Sequence, residues 1–155
     1  MALSVQEVTL LVPSGSTSRE HDADFSEWMT ARQSWLLRTA YLLTGDTHTA
    51  EDIVATCLAK LYLAWPRIES RGNVDAYARR TLVNETNSLW RRAWKRHEVI
   101  REHLPEQPIH HEHHSGDHEA LWAFVNTLPT KQRSVVVLRY YEDLKVDDIA
   151  EWLGI

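Results

Sequence analysis

From Ala50 to Trp65 the apolar residues return every three or four positions, and that spacing commits the segment to a helix. Ala50, Ile53, Val54, Cys57, Leu58, Leu61, Tyr62 and Trp65 make one stripe, which a helix buries on one side and a strand would split between two faces. Pro66 is expected to end this helix, because it lacks a backbone N–H and restricts the residue before it. The same spacing runs through Phe25, Trp28, Met29, Arg32 (by its aliphatic stem), Trp35, Leu36, Thr39, Ala40 and Leu43, predicting a helix that starts near Phe25. Gly45 suits its stop, and Asp46 or Thr49 the next start. After a loop over 67–72, Asn73 is placed to cap a third helix reaching about Arg96. The valine run 135–137 is the strand candidate of the chain, and its helical flanks outvote it. The predicted fold class is all-α.

Punctuation divides the chain. Residues 1–24 read as a disordered tail, since Ser14, Gly15, Ser16, Thr17 and Ser18 offer nothing to pack. Residues 25–97 form a three-helix domain. Residues 98–117, with Pro105, Pro108, Gly116 and many histidines, read as a linker. Residues 118–155 form a second, incomplete helical domain. There His118, Leu121, Trp122 and Val125 have helical spacing, and Leu128-Pro129 stops the run. A further helix is predicted from Thr130 through Val135, Val136, Leu138 and Tyr140, and a last one over Val146, Ile149, Ala150 and Leu153 before Gly154. This end reads as the first helix and turn of a helix-turn-helix unit. Since the chain stops where a second helix would begin, Val146, Ile149, Trp152 and Leu153 are expected to lie partly uncovered.

The lone Cys57 cannot form an internal disulfide, which fits a reducing cytoplasm. No apolar stretch approaches the roughly 20 residues of a membrane helix, and Val8 to Val12 lacks the basic cluster of a signal peptide. The net charge of −5 speaks against nucleic acid until its distribution is considered. Between Arg71 and Arg101 stand eight basic residues against three acids, Asp75, Glu85 and Glu98. A basic segment on an acidic background is a local anion-binding signal, although a merely solvated helix reads the same way. No phosphate-cradling glycine loop or carboxylate pair is present, so no enzyme, catalytic residue or cofactor is predicted.

Two surfaces stand out. On the third helix Arg80, Asn84, Asn87, Arg91 and Lys95 align in one polar stripe, opposite Ala78, Leu82, Leu89 and Ala93. Guanidinium groups hold phosphates and asparagines pair with base edges. Trp90 and Trp94 flank the stripe and fit either stacking on unpaired bases or packing in the core. On the second helix Asp52, Ala55, Thr56, Ala59 and Leu63 form an outer face with little charge. Such a face fits a partner, or a covering element of the same domain.

These residues resemble a family. Ala50-Glu51-Asp52-Ile53-Val54 with Leu58-Ala59-Lys60-Leu61-Tyr62 and Trp65 is similar to the core-polymerase-binding helix of extracytoplasmic-function (ECF) sigma factors, in the sigma-70 superfamily. Asn73-x-x-Ala76-Tyr77 followed by Arg79-Arg80-Thr81-Leu82-Val83-Asn84-Glu85 resembles their promoter-melting segment. Leu128-Pro129-x-Lys131-Gln132-Arg133, with Val137-Leu138-Arg139-Tyr140-Tyr141-Glu142-Asp143-Leu144, resembles the opening of their second DNA-binding domain. The actinobacterial sigma-E-like group is the most similar. The resemblance implies a transcription initiation factor that binds the clamp of core RNA polymerase and opens promoter DNA at the minus-ten element. It implies polymerase-binding residues Asp52, Ala55, Thr56, Ala59 and Leu63. It implies DNA-binding residues Arg71, Asn73, Arg80, Asn84, Asn87, Trp90, Arg91, Trp94 and Lys95. Asn84 stands where the family places a residue in the pocket for a flipped base, with the loop from Arg67 to Asn73 as the other wall. An anti-sigma factor is a further partner the family admits. The family commonly has Gln where this chain has Ala55, and it continues past Gly154 into a recognition helix, so the chain reads as truncated before that helix.

Two other readings compete. One is a polymerase-binding module without promoter specificity. The other is a metal-responsive regulator that uses His110, His111, His113 and His114 around Glu112, with His103 and His118 nearby. A metal needs ligands held in fixed geometry, which this stretch does not offer, so the sequence favours a solvated His-rich linker and no metal site.

Overall fold

A computed structural model describes residues 15–69, 72–97 and 116–155, and among these every regular element is a helix. The elements are α1 (Gly15–Thr44), α2 (Thr47–Glu69), α3 (Val74–His97), α4 (Gly116–Thr127), α5 (Thr130–Val136) and α6 (Val146–Leu153). A π-helical turn, Val137–Tyr141, continues α5. No helix among the described residues is long and apolar enough to cross a membrane.

Helices α1, α2 and α3 enclose one core. Leu36, Ala40, Ile53, Val54, Cys57, Leu61, Trp65, Ala78 and Leu82 are buried together, which matches the stripes read from the sequence. Burial pushes the Cys57 thiol up to about 12, with the nearby Glu85 carboxylate adding to the effect, so this thiol is an inert packing group. Polar pins fix the three helices around this core. The Trp28 Nε1 donates to Asp75 Oδ1 at 2.9 Å, and Arg32 pairs with the same carboxylate at 2.8 Å. Lys60 on α2 pairs with the largely buried Glu85 on α3.

Gly45 ends α1 with φ +73, where a β-carbon would also meet the Arg133 Nη1 at 3.2 Å. Asp46 then caps α2. Its Oδ2 accepts from the Thr49 hydroxyl at 2.5 Å and from the Thr49 N–H at 2.9 Å, and these bonds hold the carboxyl below its ordinary range. Because the folded value is depressed, the cap's contribution is present above the unfolded carboxylate range and is lost as pH falls through the folded value. Asp46→Ala should cost about 1 kcal/mol at neutral pH. Asp46→Asn should keep most of that stability while removing its acid dependence, as urea denaturation at two pH values would measure.

Three expectations are corrected. Helix α1 begins at Gly15 rather than near Phe25. Arg19, Glu20 and Ala23 are good helix formers, and Asp22 anchors the added turns by accepting from the Tyr62 hydroxyl at 2.7 Å. Pro66 does not end α2, which runs on to Glu69. A proline one turn from a C-terminus forfeits a single backbone bond, and Ile68, buried in the core, holds the extra turn down. Tyr62, assigned by spacing to the core stripe, is instead half exposed at its rim, edge-on to Phe25 at 5.3 Å.

The C-terminal segment does not stand apart. Val137, Leu138 and Ile149 pack with Leu42 and Leu43 of α1 and Val83 of α3 in a second core, with Trp122, Trp152 and Leu153 at its edge. Ile149, expected to be partly uncovered, is buried, and Trp152 and Leu153 are half-buried. Leu42 and Leu43 of α1 and Val83 of α3 cover this row. Only Val146 of that row stays exposed.

Candidate nucleic-acid interface

Helix α3 carries the basic stripe, and its two halves have different surroundings. In the C-terminal half Arg91, Lys95 and Arg96 are exposed, and Trp94 is 72% exposed beside them. Trp90 is half-buried and Asn84 is exposed one turn and a half earlier. An accessible indole between guanidinium and ammonium groups offers a base a stacking surface and its phosphates a counter-charge. Asn73 is exposed just before α3, where its carbonyl accepts from the Tyr77 N–H at 3.2 Å. Arg71 lies outside the described residues.

Two stripe residues on either side of the exposed Asn84 are engaged within the chain. The Arg80 guanidinium lies 5.0 Å from the Trp152 ring centre, and the Asn87 Nδ2 donates to the Trp152 carbonyl at 2.9 Å. Beside them, Arg79 leaves the basic surface altogether. Its Nε donates to Glu142 Oε2 at 2.9 Å, and its guanidinium lies over the Trp35 ring. Glu142 also accepts from Trp35 Nε1 at 2.8 Å and from the Thr39 hydroxyl. A carboxylate only 8% exposed is tolerable because three donors satisfy it.

This polar cluster escaped the sequence reading. Its partners lie 63 to 107 positions from Glu142, far beyond any periodicity. The π-helical turn was missed as well. There the Glu142 N–H reaches back five residues to the Val137 carbonyl, setting Glu142 at the end of α5 where it meets α1 and α3.

The outer face of α2 is open. Asp52, Ala55, Thr56, Ala59 and Leu63 are all exposed, Leu63 at 81%. Among the described residues neither α1 nor any other helix covers them; the N-terminal tail, residues 1–14, lies outside the described residues. No group of His, Cys, Asp and Glu suited to a metal is found among the described residues. The linker histidines from His103 to His114 lie outside them.

Known families agree with this layout. Residues 28–96 match the model of Sigma-70 region 2, and residues 118–155 match that of Sigma-70 region 4. The chain therefore belongs to the sigma-70 family of transcription initiation factors, in its extracytoplasmic-function branch. It is 41% identical over 133 residues to the RNA polymerase sigma-E factor of Streptomyces coelicolor, a match that covers 84% of this chain and 74% of that protein. The sigma-E factors of Streptomyces avermitilis and Streptomyces antibioticus are 38% and 39% identical over the same length, each with 73% of its chain covered. Membership makes this chain a sigma factor that directs RNA polymerase in transcription initiation.

Proposed function

We propose that α2 binds the clamp of core polymerase through Asp52, Ala55, Thr56, Ala59 and Leu63. In this reading α3 grips the non-template strand at the minus-ten element. Asn84 reads a flipped base, Arg80 and Arg91 hold phosphates, Asn87 lies on the same stripe, and Trp90, Trp94 and Lys95 extend the track. Arg71 and Asn73 would line the facing loop. The observation that carries the proposal is the separation of two exposed surfaces on one three-helix unit. One is weakly charged and apolar, suited to protein, and the other is basic and aromatic, suited to single-stranded DNA. The chain would act in the cytoplasm, where core polymerase and promoter DNA meet. An anti-sigma factor would silence it by covering either surface.

The DNA half makes two separable expectations. Arg91→Ala should weaken binding to all sequences alike and lower the salt slope by about one. Asn84→Ala should keep that slope and lose about 1–3 kcal/mol of discrimination at a single base. Fluorescence anisotropy with single-stranded oligonucleotides over a salt series reads both. If both variants keep wild-type affinity and base preference, the stripe is a solvated surface.

A further inference from the structure

The start of α3 is held by side chains of the two helices before it. Asp75, in the first turn, faces three nitrogens of α1. Its Oδ1 accepts from Trp28 Nε1 at 2.9 Å and from Arg32 Nε at 3.2 Å, and its Oδ2 stands 2.8 Å from Arg32 Nη2. Trp28 and Arg32 are four residues apart and so share one face of α1. The Trp28 ring in turn packs against Phe25 at 6.4 Å and Trp65 at 5.8 Å, so the aromatic end of the core keeps these donors in place. From α2, Arg67 Nη2 donates to the Tyr77 hydroxyl at 3.1 Å, and the Tyr77 N–H donates to the Asn73 carbonyl at 3.2 Å.

The Asp75 contacts add little stability. The Arg32 and Asp75 side chains are 47% and 42% exposed, and ion pairs that open contribute little to folding. What they add is geometry, since a forked guanidinium–carboxylate pair with an indole N–H on the same oxygen admits few orientations. Gly72 brings no packing of its own to this corner. It turns the chain into α3 with φ +69, and a β-carbon there would meet no atom within 4 Å. Asn73 and Tyr77, both exposed, precede Asn84 by eleven and seven residues, which returns them to its face of the helix. Helix ends fray where nothing holds them. Freed from α1, the first turn of α3 loosens, and Asn73 loses its register with Asn84.

We propose that Asp75 is a positioning residue for base recognition: held by Trp28 and Arg32, it fixes Asn73 at the start of α3 in register with Asn84, so that a single base is selected there. This inference rests on the reading of α3 as the DNA-binding helix. Asp75 acts through Asn73 and needs no contact with DNA. A recognition site loosened by about 1 Å loses discrimination before it loses affinity. Phosphate contacts at Arg91 and Lys95 tolerate such a shift, whereas hydrogen bonds to a base edge do not.

The test uses the full chain and a fluorescein-labelled pool of short single-stranded DNA of random sequence. Anisotropy gives the affinity for the pool, and sequencing of the bound fraction gives the base preference. Asp75→Ala should flatten the preference several-fold at the one position that Asn84→Ala also flattens. Its affinity for the pool should stay nearly unchanged, and its melting temperature should fall by a few degrees at most. Trp28→Phe keeps the ring packing and every charge but removes the N–H. It should flatten the same position to a smaller extent, which altered electrostatics cannot explain. Adding Trp28→Phe or Arg32→Ala to Asp75→Ala should flatten it no further, since all three act through one contact. If Asn84→Ala flattens the preference while Asp75→Ala and Trp28→Phe leave it intact, the positioning role is overturned and the DNA face stands. If Asp75→Ala lowers stability and affinity for all sequences alike but keeps the preference, Asp75 is a structural residue only and the proposal fails. If Asn84→Ala and Arg91→Ala change neither affinity nor preference, the DNA face falls and the positioning role with it. Should Asp75→Ala fail to fold, Trp28→Phe and Arg32→Ala decide between these outcomes.

Discussion

Ala59→Glu is expected to abolish binding to core RNA polymerase while leaving the melting temperature of the free chain unchanged. Ala59 lies at the centre of the exposed α2 face, between Ala55, Thr56 and Leu63. In the free chain a glutamate there is solvated, and glutamate is a good helix former, so the fold loses nothing. Against a partner the same carboxylate would be desolvated without a counter-charge. An uncompensated charge at an interface costs about 3 kcal/mol or more, which is over a hundredfold in Kd. A pull-down with purified core enzyme, run beside a thermal melt, reads both halves. Wild-type binding by a folded Ala59→Glu chain would mean that polymerase uses another face.

Leu82→Ala should have the opposite profile, failing through stability. Leu82 is fully buried on α3, in one core with Leu36, Cys57 and Leu61. It lies across the helix from the basic stripe, so its truncation removes no contact to DNA or polymerase. Deleting a leucine side chain from such a site leaves a cavity and costs about 3–5 kcal/mol. Against a typical total of about 5–15 kcal/mol, that is a large share of the stability. The melting temperature should fall by roughly 10 °C. Binding to polymerase and to DNA should decline together, in step with the folded fraction. A melt within about 2 °C of wild type would show that the core between α1, α2 and α3 is not packed around Leu82.

What the sequence could disclose follows from the range of each interaction. Helix α2 was readable because one-sided burial prints itself as a spacing of three and four, from Ala50 to Trp65. The exposed face of Asp52, Ala55, Thr56, Ala59 and Leu63 was readable by subtraction, since a solvated helix side normally carries more charge. Pro66 misled because its local cost was outweighed by burial of Ile68 two residues on. The start of α1 was set ten residues late because its early turns are held by Asp22 reaching Tyr62, a contact no window around Asp22 contains. The stripe of α3 was legible as a row of polar residues on one face. That Arg79 belongs to Glu142, and that Arg80 and Asn87 are shared with Trp152, depends on how α6 and the turn after α5 meet α1 and α3. Those pairings join residues dozens of positions apart and leave no period in the chain.

The role of the chain as a sigma factor with a two-surface first domain is tested most directly by mapping transcript 5′ ends. Purified core polymerase would transcribe genomic DNA of the host with and without the chain. The account predicts new start sites that share a minus-ten motif, that vanish with Ala59→Glu, and whose preference at one base relaxes with Asn84→Ala. A chain that binds core enzyme yet produces no new start sites, or start sites without a common minus-ten motif, would contradict it.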